Sequence, residues 1–202
     1  MKLLWVSIFC IVLLWSGINP KDQFTWFLEV LPAMIGFFVL AVSYNSFRLT
    51  PLTYTLILIH CIILMVGGHY TYAEVPLFDT IKEYFSLDRN NYDKVGHFAQ
   101  GFVPAIIAKE IFTRKNIILT NGWQNFLVVC FCLAFSAFYE LIEWWVAVYS
   151  GEDAEAFLGT QGYVWDTQSD MALALVGSIC AILFFSGILN KQIQYLKSDI
   201  KI

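Results

Sequence analysis

Residues 126–138 read Phe-Leu-Val-Val-Cys-Phe-Cys-Leu-Ala-Phe-Ser-Ala-Phe, a stretch without a charged residue. It lies within a mostly apolar run that extends from about residue 123 to residue 148. A helix needs about 20 mostly apolar residues to cross the hydrocarbon core of a membrane. Lipid offers the backbone no hydrogen-bond partner, so a run that crosses it has to be helical. The stretch therefore predicts a transmembrane helix.

Five further apolar runs of similar length flank this one. The predicted spans lie near residues 3–19, 24–43, 51–69, 95–113, 123–148 and 168–189. Asn19-Pro20 and Thr50-Pro51 mark boundaries, because a residue before proline avoids helical geometry. Residues 70–94 are predicted to form a long loop between the third and fourth spans. We predict an all-α, polytopic membrane helix bundle of about six transmembrane helices that forms one domain over residues 1–202.

Composition agrees with burial in a membrane. The chain is 58% hydrophobic and 14% charged, with a mean hydropathy of +0.64. A soluble domain carries about 25% charged residues, so this chain has too little polar surface to face water on all sides. The net charge of -4 also argues against a nucleic-acid partner, which a basic patch would indicate. The expected partner is the lipid bilayer.

The cysteines and the first apolar run each allow a second interpretation. All five cysteines lie in apolar runs, so we interpret them as small core residues and expect no disulfide framework. The first run could belong to a signal peptide. However, residues 16–20, Ser-Gly-Ile-Asn-Pro, lack a small-x-small cleavage pattern, which favours an uncleaved first span.

The basic residues predict the orientation, since cytoplasmic loops are rich in lysine and arginine. One set of loops and ends contains eight of the twelve basic residues: Lys2, Arg48, Lys109, Arg114, Lys115, Lys191, Lys197 and Lys201. Both termini are therefore predicted to be cytoplasmic. Fourteen of the sixteen acidic residues fall toward the opposite face. Aromatic residues such as Tyr72 and Trp145 are predicted to form a belt at that outer face.

Three polar pairs are predicted to lie at the outer helix ends: Asp93 with His97, Glu140 with Glu143, and Asp166 with Asp170. The members of each pair are three or four residues apart and therefore share a helix face. Helix capping would also explain Asp93 and Asp166, and an interior hydrogen bond would also explain His97. Glu140 and Glu143 are harder to explain, because they lie one turn apart near the carboxyl end of a helix, whose dipole repels anions.

Neutralisation of these acids requires a shared proton or a cation. Arg89 and Lys94 are possible partners, and a divalent metal is the sharper hypothesis. Under that hypothesis the metal ligands and the catalytic groups are the same four residues: His97, Glu140, Glu143 and Asp170. Asp93 and Asp166 would orient the ligands or contact substrate. Three further candidates lie toward the same face, namely Glu29, His69 and Glu74.

Nearly the whole chain resembles the YjdF-like family of bacterial inner-membrane proteins. The most specific stretches are Gly67-Gly68-His69-Tyr70-Thr71-Tyr72-Ala73-Glu74, Gly96-His97-Phe98-Ala99-Gln100-Gly101 and Phe138-Tyr139-Glu140-Leu141-Ile142-Glu143-Trp144-Trp145. The resemblance implies a multi-pass protein of the bacterial plasma (inner) membrane and supplies no activity.

Residues 93–180 also resemble the VanZ-like membrane proteins, some of which are linked to glycopeptide-antibiotic tolerance. The shared pattern is Asp93-Lys94-x-x-His97, Glu140, and Asp166-x-x-x-Asp170 followed by Gly177. This chain differs in having Glu143 and Ala174 where that pattern has glutamine and asparagine. The resemblance implies a role in the cell envelope.

Three functional hypotheses follow. The leading one is an envelope-facing protein with a divalent-cation site, acting on a lipid or lipid-linked substrate. The second is a proton- or cation-coupled transporter, since acids at membrane depth also relay ions. The third is a non-catalytic membrane interaction protein in which the polar cluster only joins the helices. The sequence leaves enzymatic activity, the substrate and the oligomeric state open.

Overall fold

The computed structural model describes residues 2–150 and 160–199. Within these ranges the chain forms seven α-helices and no strand, which confirms the all-α prediction for the described residues. The helices are α1 Lys2–Ser16, α2 Gln23–Ser43, α3 Pro51–His69, α4 Pro76–Phe85, α5 Tyr92–Lys115, α6 Asn121–Ser150 and α7 Asp166–Asp199.

Four of these helices, α2, α3, α6 and α7, are long and apolar enough to cross a membrane. Helix α1 is apolar but has only 15 residues, a length of about 22 Å against a hydrocarbon core of about 30 Å. Helix α5 has 24 residues but carries polar and charged groups toward both ends. The described helices thus support a multi-pass protein, while the count of six spans stays a prediction.

The prediction of a loop at residues 70–94 was wrong in part, because a helix lies between α3 and α5. Residues 76–85 form helix α4, which starts with Pro76 in its first turn and ends at Ser86 in the left-handed conformation. Proline is favoured in the first turn because its missing N–H would be unpaired there anyway. The helix was missed because ten residues are too few for a span. Helix α7 also continues past the predicted end near residue 189, because a helix can extend into water beyond the lipid.

The chain divides into two compact units. The first unit comprises Met1–Val42, Leu58–Gly96 and Tyr139–Asp166, and the second unit comprises Ser43–Ile57, His97–Phe138 and Thr167–Ile202. Helices α2, α3, α5, α6 and α7 each contribute residues to both units, α2 only through Ser43. The prediction of one domain is not tested by this division.

In the first unit, the Tyr72 ring is part of a buried cluster with Val75 and Tyr92. A Cβ atom at Gly67 would lie 2.3 Å from this ring, and one at Gly96 would lie 2.9 Å from it. The two glycines therefore make room for the tyrosine. Placing Tyr72 in the outer aromatic belt was wrong, since it is 7% exposed and packs inside the protein.

In the second unit, α5 and α7 approach each other closely enough for backbone contact. A Cβ atom at Gly101 would lie 1.8 Å from the Ala174 carbonyl oxygen, and one at Gly177 would lie 2.2 Å from the Phe98 carbonyl oxygen. Glycine is the residue that permits such an approach between membrane helices. This close approach brings the amino-terminal halves of the two helices together.

Only two of the five cysteines are core residues. Cys61 and Cys132 are buried, whereas Cys10 and Cys130 are exposed and Cys180 is intermediate. The core assignment of Cys10 and Cys130 was therefore wrong. A small apolar side chain is compatible with lipid as well as with the protein interior, so an apolar run does not distinguish the two positions.

Candidate functional site

His97 and Asp170 form the central pair of the candidate site in the second unit. His97 Nε2 lies 3.8 Å from Asp170 Oδ2, and the two residues are 7% and 3% exposed. The other ring nitrogen, Nδ1, lies 3.1 Å from the Gln100 side-chain oxygen. That oxygen can only accept a hydrogen bond, so Nδ1 carries the proton. In a neutral imidazole, Nε2 then presents its lone pair to the Asp170 carboxylate.

This geometry calls for a positive charge between the two side chains. A lone pair and a carboxylate repel each other unless a proton or a cation lies between them. Zinc–nitrogen and zinc–oxygen bonds of about 2.1 Å place two tetrahedral ligands about 3.4 Å apart. The 3.8 Å separation is therefore close to the spacing of two ligands of one ion. Gln100 would orient the ring, as outer partners of metal-binding histidines do.

Asp93 lies one turn before His97 on helix α5. Positions four apart share one helix face, and Asp93 is 8% exposed. Sequence analysis assigned it a supporting role, and its partner within the first unit is described next.

Arg89 joins the two acids that open helices α5 and α7. In the first unit its Nη1 atom donates to Asp166 Oδ1, and its Nη2 atom lies 3.4 Å from Asp93 Oδ2. All three side chains are nearly buried, at 8–12% exposure. Sequence analysis named Arg89 as a possible partner of Glu140 and Glu143, whereas the structure pairs its guanidinium with Asp93 and Asp166.

The acids of α6 are also buried in the first unit. Glu140 and Glu143 are 7% and 9% exposed, and Glu29 of α2 is 6% exposed. The Tyr139 hydroxyl donates to Glu29 Oε2 at 3.3 Å and lies in the fields of Glu143 and Asp93. Burial raises the pKa of the Tyr72 hydroxyl well above its usual value, and Glu29 raises it further. The first unit therefore gathers acids from α2, α5 and α6 in a poorly solvated region.

The two remaining candidates have local partners. His69 Nδ1 lies 2.9 Å from the Ser16 carbonyl oxygen, and its ring stacks on Trp15 at 4.7 Å. Glu74 pairs with Lys21 at 2.9 Å, and both side chains are more than half exposed. Through these contacts His69 joins the end of α3 to the end of α1, and Glu74 joins the segment after α3 to the α1–α2 turn.

Glu110 is a buried acid to which sequence analysis assigned no role. It is 0% exposed and accepts hydrogen bonds from the Thr50 backbone and the Thr50, Thr53 and Arg114 side chains. Its carboxylate lies at the amino terminus of α3, where the helix dipole favours an anion. The spacing of Glu110 and Arg114, four residues apart, was the available signal. The role shown by these contacts is to fix α3 against α5.

Comparisons with known proteins identify relatives but no solved fold. The family described as "Predicted membrane protein (DUF2238)" matches residues 1–191. The chain is 48% identical to "Inner membrane protein YjdF" of Escherichia coli (strain K12) over 184 residues, which cover 91% of this chain and 88% of that protein. No solved structure matches the chain.

Proposed function

The chain belongs to the DUF2238 family of membrane proteins and is a multi-pass protein of the inner membrane, and from that premise we propose that it binds a divalent cation through His97 and Asp170. The observation that carries the proposal is the 3.8 Å approach of two buried ligand atoms.

The chemistry of the two side chains supports a cation. His97 offers a ring nitrogen and Asp170 offers a carboxylate oxygen, and both residues are buried. Imidazole with carboxylates suits zinc, manganese or iron.

We further propose that the site faces the cell envelope. This orientation requires six spans, with α1 and α5 crossing the membrane together with the four longer apolar helices. The basic residues then place both termini in the cytoplasm. With that topology the amino-terminal ends of α5 and α7 open toward the outer face, together with the acids that they carry.

The proposed substrate is a lipid or a lipid-linked envelope compound. Support comes from an apolar groove of about 350 Å³ in the first unit, lined by Phe24, Ile142, Trp145, Val146 and Tyr149. Ile142, which lines the groove, directly precedes Glu143 in the sequence of α6. An acyl chain would occupy the groove and leave its headgroup toward the acids. Glu140 or Glu143 would then act as general base at that headgroup.

The described residues of the second unit favour this proposal over transport. Transport needs a polar path from His97 toward the opposite end of α5. The buried cluster along that path contains Ala105, Ile106, Val128 and Cys132, all apolar. Glu110, farther along α5, is already satisfied by four hydrogen bonds. A non-catalytic interaction protein remains as the outcome if the site binds no ion.

Metal analysis of the purified protein tests the proposal. The detergent-solubilised chain is incubated separately with Zn²⁺, Mn²⁺ and Fe²⁺, freed of unbound ion, and its metal content is measured by mass spectrometry. We expect one of these ions to bind, and His97→Gln/Asp170→Asn to lose at least about tenfold in affinity. The matched control is His69→Gln/Glu74→Gln, which makes the same kinds of change at residues with local partners.

Two results would contradict the cation site. One is equal metal content in the His97→Gln/Asp170→Asn variant and the control variant. The other is no bound ion in the unmodified chain under any of the three conditions. Elution of both variants at the monodisperse position of the unmodified chain excludes misfolding as the reason for a loss.

A further inference from the structure

Helix α4 is amphipathic, and one side of it is fixed to the protein. Phe78 stacks edge-on against Tyr92 at 5.2 Å between ring centroids. Asp79 accepts a hydrogen bond from the Asn90 side chain at 2.8 Å. The same amide nitrogen of Asn90 donates to the Val75 carbonyl oxygen at 3.0 Å. The amino-terminal end of the helix is thereby held, within the first unit, to Asn90 and to Tyr92 at the start of α5.

The opposite side of α4 presents large apolar residues that the described protein does not cover. Leu77 is 66% exposed and Tyr84 is 82% exposed. They are seven residues apart, so they lie two turns apart on the same face. Phe85, at the end of the helix, is 65% exposed. A charged residue, Glu83, lies on another face and is also exposed.

The position of α4 in the chain indicates what covers this face. The helix starts seven residues after the end of α3, one of the apolar helices long enough to span the membrane. Glu74, in the segment between them, forms an exposed ion pair with Lys21 of the α1–α2 turn, and this pair requires water. With ten residues α4 is about 15 Å long, half of a hydrocarbon core. It is therefore too short to cross and too close to α3 to leave the membrane surface.

We infer that α4 lies in the membrane–water interface and inserts Leu77 and Tyr84 into the lipid, as an anchor parallel to the surface. Short helices with a strong apolar face and a low overall hydrophobicity bind membranes in this way. Tyrosine suits this depth because its ring is apolar and its hydroxyl is polar. This inference is independent of the cation site.

The charge of α4 restricts the kind of lipid contact. The helix contains Asp79, Lys82 and Glu83, hence two negative charges and one positive charge. Attraction to anionic headgroups requires a basic surface, which this helix lacks. The contact is therefore apolar, and zwitterionic phosphatidylcholine is sufficient for it.

Depth-dependent quenching tests the inference. All five native cysteines are replaced by alanine, and single cysteines at Leu77, Tyr84 or Glu83 are labelled with an environment-sensitive fluorophore. The protein is placed in phosphatidylcholine nanodiscs with or without nitroxide groups on the upper acyl chain. We expect a blue-shifted emission and several-fold stronger quenching at residues 77 and 84 than at residue 83, the matched control on another face.

The three labelled positions are exposed, and helicity by circular dichroism verifies the fold of each labelled protein, including the effect of replacing the buried Cys61 and Cys132. Water-like emission and equal quenching at all three positions would overturn the inference. A requirement for anionic phosphatidylglycerol would overturn the apolar mode of contact. Blue-shifted emission without nitroxide quenching at residues 77 and 84 would show that protein, and not lipid, covers the face.

Discussion

At the scale of single residues, Arg89 is the cation that faces two buried acids. Its guanidinium contacts Asp93 and Asp166, which open two different helices. Arginine suits this position because its planar group presents several donors at fixed angles and stays charged when buried. Removal of one partner from such a group leaves charges without compensation, which costs more than the intact group contributes.

We therefore expect Arg89→Met to lower the free energy of unfolding by about 3–5 kcal/mol. The reason is that Asp93 and Asp166 would remain buried without their guanidinium. The measurement is unfolding in mixed detergent micelles with increasing dodecyl sulfate, followed by circular dichroism. Arg89→Met/Asp166→Asn should recover part of the loss, because one of the two uncompensated charges is gone.

The matched control is Lys21→Met, which removes a cation from an ion pair whose side chains are more than half exposed. Water screens that pair, so this substitution should change stability little. If Arg89→Met were no more destabilising than Lys21→Met, the assignment of Arg89 as the compensating charge would be wrong.

At the scale of elements, the contact between α5 and α7 depends on glycine. Gly101 and Gly177 each face a backbone carbonyl oxygen of the other helix, with no space for a Cβ atom. His97 lies four residues before Gly101, and Asp170 lies seven residues before Gly177. The separation of the two helices at the glycines therefore sets the distance between His97 and Asp170.

We expect Gly101→Ala and Gly177→Ala each to destabilise the protein by about 1–3 kcal/mol, the usual cost of overpacking. Each should also weaken any bound cation, because the helices must separate. Dodecyl sulfate unfolding measures stability, and metal content measures the site.

Gly187→Ala provides the control on the same helix α7, since nothing lies within 4 Å of a Cβ atom there. It should leave stability unchanged or raise it by up to about 1 kcal/mol through helix propensity. A Gly101→Ala variant as stable as Gly187→Ala would contradict the close contact.

At the scale of the whole molecule, the number of crossings determines on which side of the membrane each end lies. Four described helices satisfy the length and hydropathy of a span, whereas α1 is shorter and α5 carries charged groups toward both ends. If both of them cross, the chain has an even number of spans and its two ends lie on the same side. The distribution of basic residues then predicts the cytoplasm for both ends.

Cysteine labelling in intact cells with an impermeant maleimide measures this topology. In a background without native cysteines, we expect Lys21→Cys to react from outside. Lys2→Cys and Lys197→Cys should react only after the membrane is permeabilised. Reaction of residues 2 and 21 from the same side would show that α1 does not cross. Reaction of residues 2 and 197 from opposite sides would show an odd number of spans.

The sequence by itself determined the all-helical class, the positions of six of the seven described helices and the membrane location. These follow from the length and hydropathy of each run, because lipid requires every crossing segment to satisfy its own backbone. Spacing on a helix also determined which residues share a face, as for Asp93 and His97. Glu140 and Glu143 were recognisable as unusual from their apolar neighbours, although their role stays a prediction.

Only the tertiary structure decided which side chains meet across helices. It showed that Tyr72 packs in the core and that Asp166 accepts a hydrogen bond from Arg89. It also showed that Glu110 accepts a hydrogen bond at the start of α3 and that Asp170 lies beside His97. Hydropathy describes how one segment interacts with its solvent, and lipid and protein interior are equally apolar. Contacts between segments depend instead on the rotation and separation of the helices. Glycines such as Gly101 set that separation by packing against a second helix, and the sequence of one segment does not show which helix that is.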